Sequence, residues 1–220
     1  MWRKKNIHPN PDVEDLERLH YTMVLEQIIG RGITCEHTIA AMKAIPRHHF
    51  LPDSMSGIAY DDCPHSIGLG QTISQPYMVA LMTSQFSHLP KGSRILEIGS
   101  GCGYQTAILV SMGFEVHSIE IVSELFERSK DTLGELNLLP ASISLADGKI
   151  GKAEFAPFDG IIAAACGDSI PEPWIEQMAD GACIVAPVDG ENTQLLVRIH
   201  RDGEDLITEE ICAVRFVRLI

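Results

Sequence analysis

Basic residues are scarce in this sequence: 17 lysines and arginines stand against 30 acidic residues, a formal net charge of −13. Nucleic-acid binding draws on clusters of basic side chains that meet phosphates, so no nucleic-acid partner is expected. The acid surplus suits a dissolved protein. Long apolar runs are also missing. Stretches such as 160–166 fall far short of the ~20 residues that span a membrane, so no membrane partner is expected either. The chain opens Met1-Trp2-Arg3-Lys4-Lys5 and turns polar at once through Asn6, His8, Pro9, Asn10 and Asp12, where an export signal needs an apolar stretch. The six cysteines, Cys35, Cys63, Cys102, Cys166, Cys183 and Cys212, include no C-x-x-C pair, which signals neither a zinc site nor a thioredoxin-like motif. Cys166, Cys183 and Cys212 sit in apolar runs and read as buried, reduced thiols, in keeping with a cytosolic (cytoplasmic) chain. His48-His49 is not a metal-ligand spacing, and no metal is assigned.

What the sequence does have is material for a core. Apolar residues make up 45% and charged residues 21%, so a folded domain is expected rather than disorder. A length of 220 residues suits a single domain, with a helical extension and substrate loop over 1–90 and an α/β core over 91–220. Leu16, Leu19, Met23, Val24, Ile28 and Ile29 recur near helical spacing and predict a helix over 13–29, ending at Gly30-Arg31-Gly32. A short helix is expected over 36–44, stopped by Pro46, and residues 53–76, rich in Gly, Pro, Ser and Asp, read as a long ordered loop. From residue 91 strands alternate with helices: strands at 94–98, 116–119, 142–146, 160–165 and 183–187, helices up to about 110, over 124–136 and at 174–178. That rhythm implies a doubly wound, mostly parallel sheet. Segments 194–199 and 211–217, flanking Asp202-Gly203, look like an antiparallel C-terminal hairpin.

The informative turn is Glu97-Ile98-Gly99-Ser100-Gly101-Cys102-Gly103. Ligands of open α/β sheets bind beyond the carboxyl ends of the strands, and glycines let the backbone approach them closely. A dinucleotide fingerprint G-x-G-x-x-G needs glycine where Tyr104 stands; the spacing here is G-x-G-x-G after an acid, the pattern of adenosylmethionine enzymes. Glu120 ends the next strand, where a carboxylate can accept from both ribose hydroxyls, and Asp147-Gly148 ends the third, within reach of an adenine edge. A solvated strand end and a plain turn are the simpler readings of these two, but three such ends in order are harder to attribute to chance. Gly68-Leu69-Gly70-Gln71-Thr72-Ile73-Ser74-Gln75-Pro76 is the second motif. Ser74 lies in no G-x-S-x-G elbow, and no Ser-His-Asp set follows from the spacing. A carboxylate acceptor needs no activated serine, since with a pKa near ~4 it is already ionised at neutral pH. A hydroxyl such as that of Ser74 can hold it in place.

Over residues 13–217 the chain resembles the protein-L-isoaspartate O-methyltransferases. The resemblance rests on IPRHHFLP (45–52), AYDD (59–62), IGLGQTISQPYMVALMT (67–83), RILEIGSGCGYQTAIL (94–109), FDGII (158–162) and AVRFV (213–217). It implies a seven-stranded class I methyltransferase sheet and S-adenosyl-L-methionine contacts at Ile73, Ser74, Glu97, Gly99, Glu120, Asp147 and Gly148, with Gly101 and Gly103 of the same turn. It makes Ser74 the active-site serine, and has Arg215 and its neighbours Val214 and Phe216, with Thr72, contact an isoaspartyl peptide. The implied activity is methyl transfer to the α-carboxylate of L-isoaspartyl residues in damaged proteins, by a monomer. The family's usual P-L-P-I-G reads Pro64-His65-Ser66-Ile67-Gly68, its I-I-V-T-A-A reads Ile161-Ile162-Ala163-Ala164-Ala165-Cys166, and its G-G turn reads Gly181-Ala182. Two alternatives stay open: a methyltransferase of the same fold acting on aspartate in a dedicated peptide, and a nucleotide-binding module that has lost catalysis.

Overall fold

The computed structural model describes residues 11–220; residues 1–10, on which the reading of no export signal rests, lie outside them. Helix α1 covers Val13–Thr22, capped by the Asp12 side chain accepting from the Asp15 amide at 2.9 Å. The coil then widens into a π-helical turn over Met23–Ile28 and tightens over Ile29–Arg31, ending at Gly32 with φ +91°. The wide turn buries Met23, Val24 and Ile28 together, a geometry that the apolar spacing alone does not announce. Helix α2 spans Glu36–Ala44 as expected.

The stretch 53–76, expected as a long ordered loop, contains regular elements. It holds a helical turn at Asp53–Ile58 and an antiparallel hairpin, β1 (His65–Gly68) with β2 (Gln71–Ile73). Leu69 and Gly70 form its tip with φ +55° and +75°, the left-handed pair that a tight hairpin requires. Leucine is a rare occupant of that region, so the usual Asn-Gly signal is missing. Helix α3, Pro76–Ser84, follows with proline at its first position; it is apolar on most sides, so no stripe marks it.

The core alternates β3 (Arg94–Ile98), α4 (Tyr104–Ser111), β4 (Glu115–Glu120), α5 (Ser123–Glu135), β5 (Ser142–Leu145), β6 (Phe158–Ala163), α6 (Glu172–Glu176), β7 (Met178–Asp189), β8 (Gln194–Asp202) and β9 (Asp205–Val214). The sheet runs β5-β4-β3-β6-β7-β8-β9, parallel from β5 to β7 and antiparallel from there on. Several boundaries differ from the expectation. Pro171 and Pro173 start α6 early, β6 runs Phe158–Ala163 instead of 160–165, β7 is longer than 183–187, β8 runs on to Asp202, and β9 starts at Asp205 and ends at Val214, leaving Arg215–Val217 outside the ladder.

Strand order reverses between β3 and β6, and the carboxyl ends there open the crevice where such sheets bind ligands. One face packs α1 to α5 into a continuous apolar cluster running from Met23, Met42 and Phe86 to Ile95, Val116 and Val185. The other face is covered by α6 and short turns around Trp174 and Phe158. Among the described residues no helix is long and apolar enough to cross a membrane.

Gly160 shows how tightly β6 is packed: an added Cβ would lie 2.6 Å from Phe86 and 2.7 Å from Ile95. Gly160→Ala should destabilise the fold by about 1–3 kcal/mol, the usual cost of overpacking. Gly134→Ala, where a Cβ meets open space in α5, should be neutral or stabilising by up to about 1 kcal/mol. Urea midpoints with unchanged slopes would decide; equal midpoints for the two variants would refute the packing account.

Candidate active site

The turn after β3 carries three left-handed glycines, Gly99, Gly101 and Gly103, with φ +86°, +55° and +90°. Its start is tied to the neighbouring strand, since the Gly99 and Ser100 amides donate to the Ile119 carbonyl at 2.8 and 3.2 Å. Glu120 ties the remainder. Its carboxylate, only 5% exposed, accepts from the Gly101 amide at 2.8 Å and from the Ile121 and Val122 amides at 2.9 Å each. Charge-assisted bonds of this kind are stronger than neutral ones.

A cleft opens there, lined by Ile98, Gly99, Gly101, Ile119, Glu120, Ile121, Gly148, Ala164 and Ala165, with Gln71 and Thr72 reaching in from the hairpin. Gly148 must be glycine, because a Cβ would stand 2.5 Å from Ile98 Cγ2. Buried Trp174 holds this turn, its indole N–H donating to the Gly148 carbonyl at 2.8 Å. Across the cleft the C-terminal residues 217–220 form a strap. The strap is fastened by paired backbone bonds between Cys166 and both Val217 and Leu219, at 2.8 Å each, and by ion pairs from Arg218 to Asp168 and Asp189. Arg218 beside it holds the Asp189 carboxyl below the usual carboxylate range.

The hairpin joins this cleft to a second cavity. Arg128 of α5 donates to the Ile67 carbonyl at 3.0 Å and so moors β1 to the core. Ile73 is buried, Ser74 follows it out of β2, and both border the glycine turn together with Thr72. Thr72 and Ser74 also line a pocket of about 460 Å³, whose far wall is Ala213, Val214, Arg215 and Phe216. Gln194 fixes that wall through the backbone, accepting from the Phe216 amide at 2.5 Å and donating to its carbonyl at 3.3 Å.

The structure therefore brings together Thr72, Ile73, Ser74, Gly99, Gly101, Glu120, Gly148, Val214, Arg215 and Phe216. It sets three expected residues apart from the cleft. Gly103 precedes α4, where a Cβ would press on Leu133 at 3.1 Å. Asp147 is exposed and caps its own turn, accepting from the Lys149 amide at 2.8 Å. Glu97 lies under α4, 1% exposed, with Oε2 accepting from Thr106 Oγ1 and Ser118 Oγ at 2.6 Å each and Oε1 without a partner. Burial pushes the Glu97 carboxyl up to about 7, over the opposing effect of the two hydroxyls, and nearby Glu120 raises it further. Ile121 is a cleft residue that the sequence reading passes over, although it is 42% exposed; an apolar side chain directly after a strand-end acid was its only signal. Cys102, which its place in the turn makes the natural candidate for a reactive thiol, is instead buried with its thiol pushed up in pKa; Cys63 is the exposed one.

Residues 20–220 match the family model described as Protein-L-isoaspartate(D-aspartate) O-methyltransferase. The chain belongs to this family. The protein-L-isoaspartate O-methyltransferase of Picosynechococcus sp. is 45% identical over 91% of this chain and 90% of its own, and that of Methanospirillum hungatei 44% identical over 90% and 91%. A Plasmodium falciparum structure, described as a protein-L-isoaspartate O-methyltransferase in complex with S-adenosyl-L-homocysteine, superposes with a TM-score of 0.81 at 26% identity, covering 91% of this chain and 98% of its own.

The cleft suits the cofactor of such enzymes. A Cβ on Gly99 would find nothing nearer than Ala164 at 3.9 Å, so the turn leaves room beside an apolar wall and one fixed carboxylate. If Glu120 accepts the ribose hydroxyls, Glu120→Ala should weaken adenosylmethionine binding by about 1.5–3 kcal/mol. It should also loosen both apo loops, since one amide of the glycine turn and two of the turn after β4 lose their acceptor. Calorimetric titration reads the first effect, and unchanged affinity in a folded variant would move the ribose contact elsewhere.

Glu97 generates a pH prediction. With its carboxyl raised from 4.5 to about 7, the folded protein holds a proton that the unfolded chain releases between those values. The unfolded state then binds fewer protons, so this group makes stability fall as pH rises through that window and levels off above it. Glu97→Gln keeps the acceptor oxygen and removes the titration. The stability of the native protein minus that of the variant should decline from about pH 4.5 to pH 7; a flat difference in urea unfolding would show that Glu97 titrates normally.

Proposed function

We propose that this chain moves a methyl group from S-adenosyl-L-methionine to the free α-carboxylate of L-isoaspartyl residues in damaged proteins. The observation that carries the reading is that Thr72 lines both the cleft and the pocket walled by Val214–Phe216, while Ser74 lines that pocket and borders the glycine turn at Gly99 and Gly101. A methyl donor in the first and a peptide in the second meet at Ser74. Adenosylmethionine supplies a methyl on a sulfonium sulfur, which leaves as a neutral thioether when the acceptor oxygen takes the methyl. Everything else falls to the chain. Glu120 takes the ribose hydroxyls, and Ile98, Ile121 and Ala164 offer apolar surface to the adenine. Gly148, rather than the outward Asp147 side chain, stands where the adenine edge would lie. Gly103 and Glu97 support the turn from behind.

No residue has to act as a base, because the acceptor carboxylate is ionised at neutral pH. Ser74 donates to one of its oxygens and aligns the other, and contact with the pocket wall strips part of its water. The Val214–Phe216 backbone, held by Gln194, fixes the peptide's main chain. The methyl ester then cyclises without the enzyme: the following amide nitrogen attacks the ester carbonyl, methanol leaves, and a succinimide forms that reopens partly to normal aspartate. In this reading the protein works as a cytosolic monomer with neither nucleic acid nor membrane, as its acidic surface favours.

Radiolabelled methyl transfer to paired peptides, differing only in isoaspartate or aspartate at one position, tests the proposal. Isoaspartyl peptides should win by at least ~10²-fold, since misplacing a reacting carboxylate by ~1 Å costs about that much. Ser74→Ala should lower turnover while leaving adenosylmethionine bound, with no covalent enzyme intermediate. Methylation of one peptide at normal aspartate, with isoaspartyl peptides ignored, would overturn the repair reading and favour a dedicated substrate.

A further inference from the structure

Asp61-Asp62-Cys63-Pro64-His65, which runs from the end of AYDD into the altered Pro64-His65-Ser66 stretch, leads into β1 and supplies Pro64 to the acceptor pocket. The chain bends tightly through Asp61–Cys63, the Cys63 amide donating to the Asp61 carbonyl at 2.8 Å, before the strand begins at His65. This course leaves the ligand-type atoms of Asp61, Cys63 and His65 within 4.8 Å of one another. Cys63 Sγ and His65 Nε2 are 3.7 Å apart. In a tetrahedral zinc site, with bonds of ~2.3 Å to sulfur and ~2.05 Å to nitrogen, that edge is about 3.6 Å. The Cys63–His65 pair thus stands close to a coordination edge, with the Asp61 carboxylate within 4.8 Å of both. We propose that Asp61, Cys63 and His65 bind a zinc-class divalent cation at the rim of the acceptor pocket.

Charge and rigidity support this. A carboxylate and a thiolate balance a divalent ion, and a neutral imidazole completes a mixed O, S, N set of the kind zinc takes. The buried Arg47 guanidinium opposes an added cation, and it does so against two carboxylates, Asp61 and Asp62. The segment is fastened on both sides. Arg47 Nε donates to the Ala59 carbonyl at 2.8 Å, Tyr60 Oη bonds His48 Nδ1 at 2.6 Å, and Gln75 Nε2 donates to the Asp62 carbonyl at 3.0 Å. His65 is then held in register with Ile73 across the hairpin. Ligands on a fastened segment lose little freedom on binding. Asp61 and Cys63 are exposed and His65 half-buried, so an ion can reach them from solvent with water in the fourth position. Gln75, next to Ser74, bonds the same segment, so a bound ion stiffens the wall that the peptide meets.

Titrating the untagged, metal-free protein with Co²⁺ tests the site without any reference to methyl transfer. A thiolate-to-cobalt charge-transfer absorption should rise and saturate at about one equivalent, and Zn²⁺ should displace it. Cys63→Ser should abolish the band. His65→Ala and Asp61→Asn should weaken binding at least about tenfold, while Cys35→Ser and Cys212→Ser leave it unchanged. Zn²⁺ should also slow alkylation of Cys63 in the native protein, a readout that needs no variant. Absence of the band at saturating Co²⁺, its persistence in Cys63→Ser, or unprotected alkylation would overturn the proposal and leave the Cys63–His65 contact as a hydrogen bond only.

Discussion

The active-site architecture depends on one carboxylate. Glu120 stands at the end of β4 and accepts three backbone N–H groups, one from the turn after β3 and two from the turn after its own strand. Without it, two neighbouring loops would present unsatisfied amides to a cleft that must stay open. With it, the glycine turn is held in a left-handed course that few other residues tolerate. The amides take both lone-pair directions of Oε1 and one of Oε2, so one ligand hydroxyl finds a free direction on Oε2 and a second shares with an amide. Loop order and cofactor recognition are therefore coupled at Glu120.

A second constraint joins distant parts of the chain. A parallel sheet opens its crevice where strand order reverses, yet the crevice alone binds only one substrate. The acceptor side is built from pieces outside the parallel core: the β1–β2 hairpin from the N-terminal region and the residues that follow β9. Each is moored independently, the first by Arg128 on Ile67 and the second by Gln194 on Phe216. Early termination of β9 matters here. Had the ladder continued through 217, the backbone groups of Arg215–Val217 would be spent on the sheet instead of facing a peptide or pinning the strap.

The strand ends that face the cleft were legible in the sequence because glycine or acidic residues close three successive strands in order, although each alone reads equally as a plain turn or a solvated end. Gly99, Gly101, Glu120 and Gly148 all stand where that reasoning puts them. The hairpin was illegible, since its tip is Leu69-Gly70 and leucine carries no turn signal. Helix α3 was hidden by its burial on most sides, and the π-helical turn by the fact that apolar spacing does not distinguish hydrogen-bond registers. Glu97 exposes a limit of another kind. A motif fixes which residue stands beside a ligand-binding turn but not which way its side chain points, and here Thr106 and Ser118 draw it beneath α4. Cys102 fails for the same reason.

Substrate choice follows from how little chemistry the site has to perform. An isoaspartyl residue continues its main chain through the side-chain carbonyl, so its free carboxylate hangs from the α-carbon. Normal aspartate carries the same nucleophile one bond further from the backbone. A site that recognised the carboxylate alone would accept both. In the proposed function the peptide wall is backbone held by Gln194, and the aligning hydroxyl follows a hairpin moored to α5, so two fixed attachments set the distance between main-chain anchor and reacting oxygen. Selectivity then comes from the length of that gap and not from side chains reading sequence, which is what a repair enzyme needs if damage can occur in any context. Stiffening the segment at Asp61–His65 would sharpen the same gap.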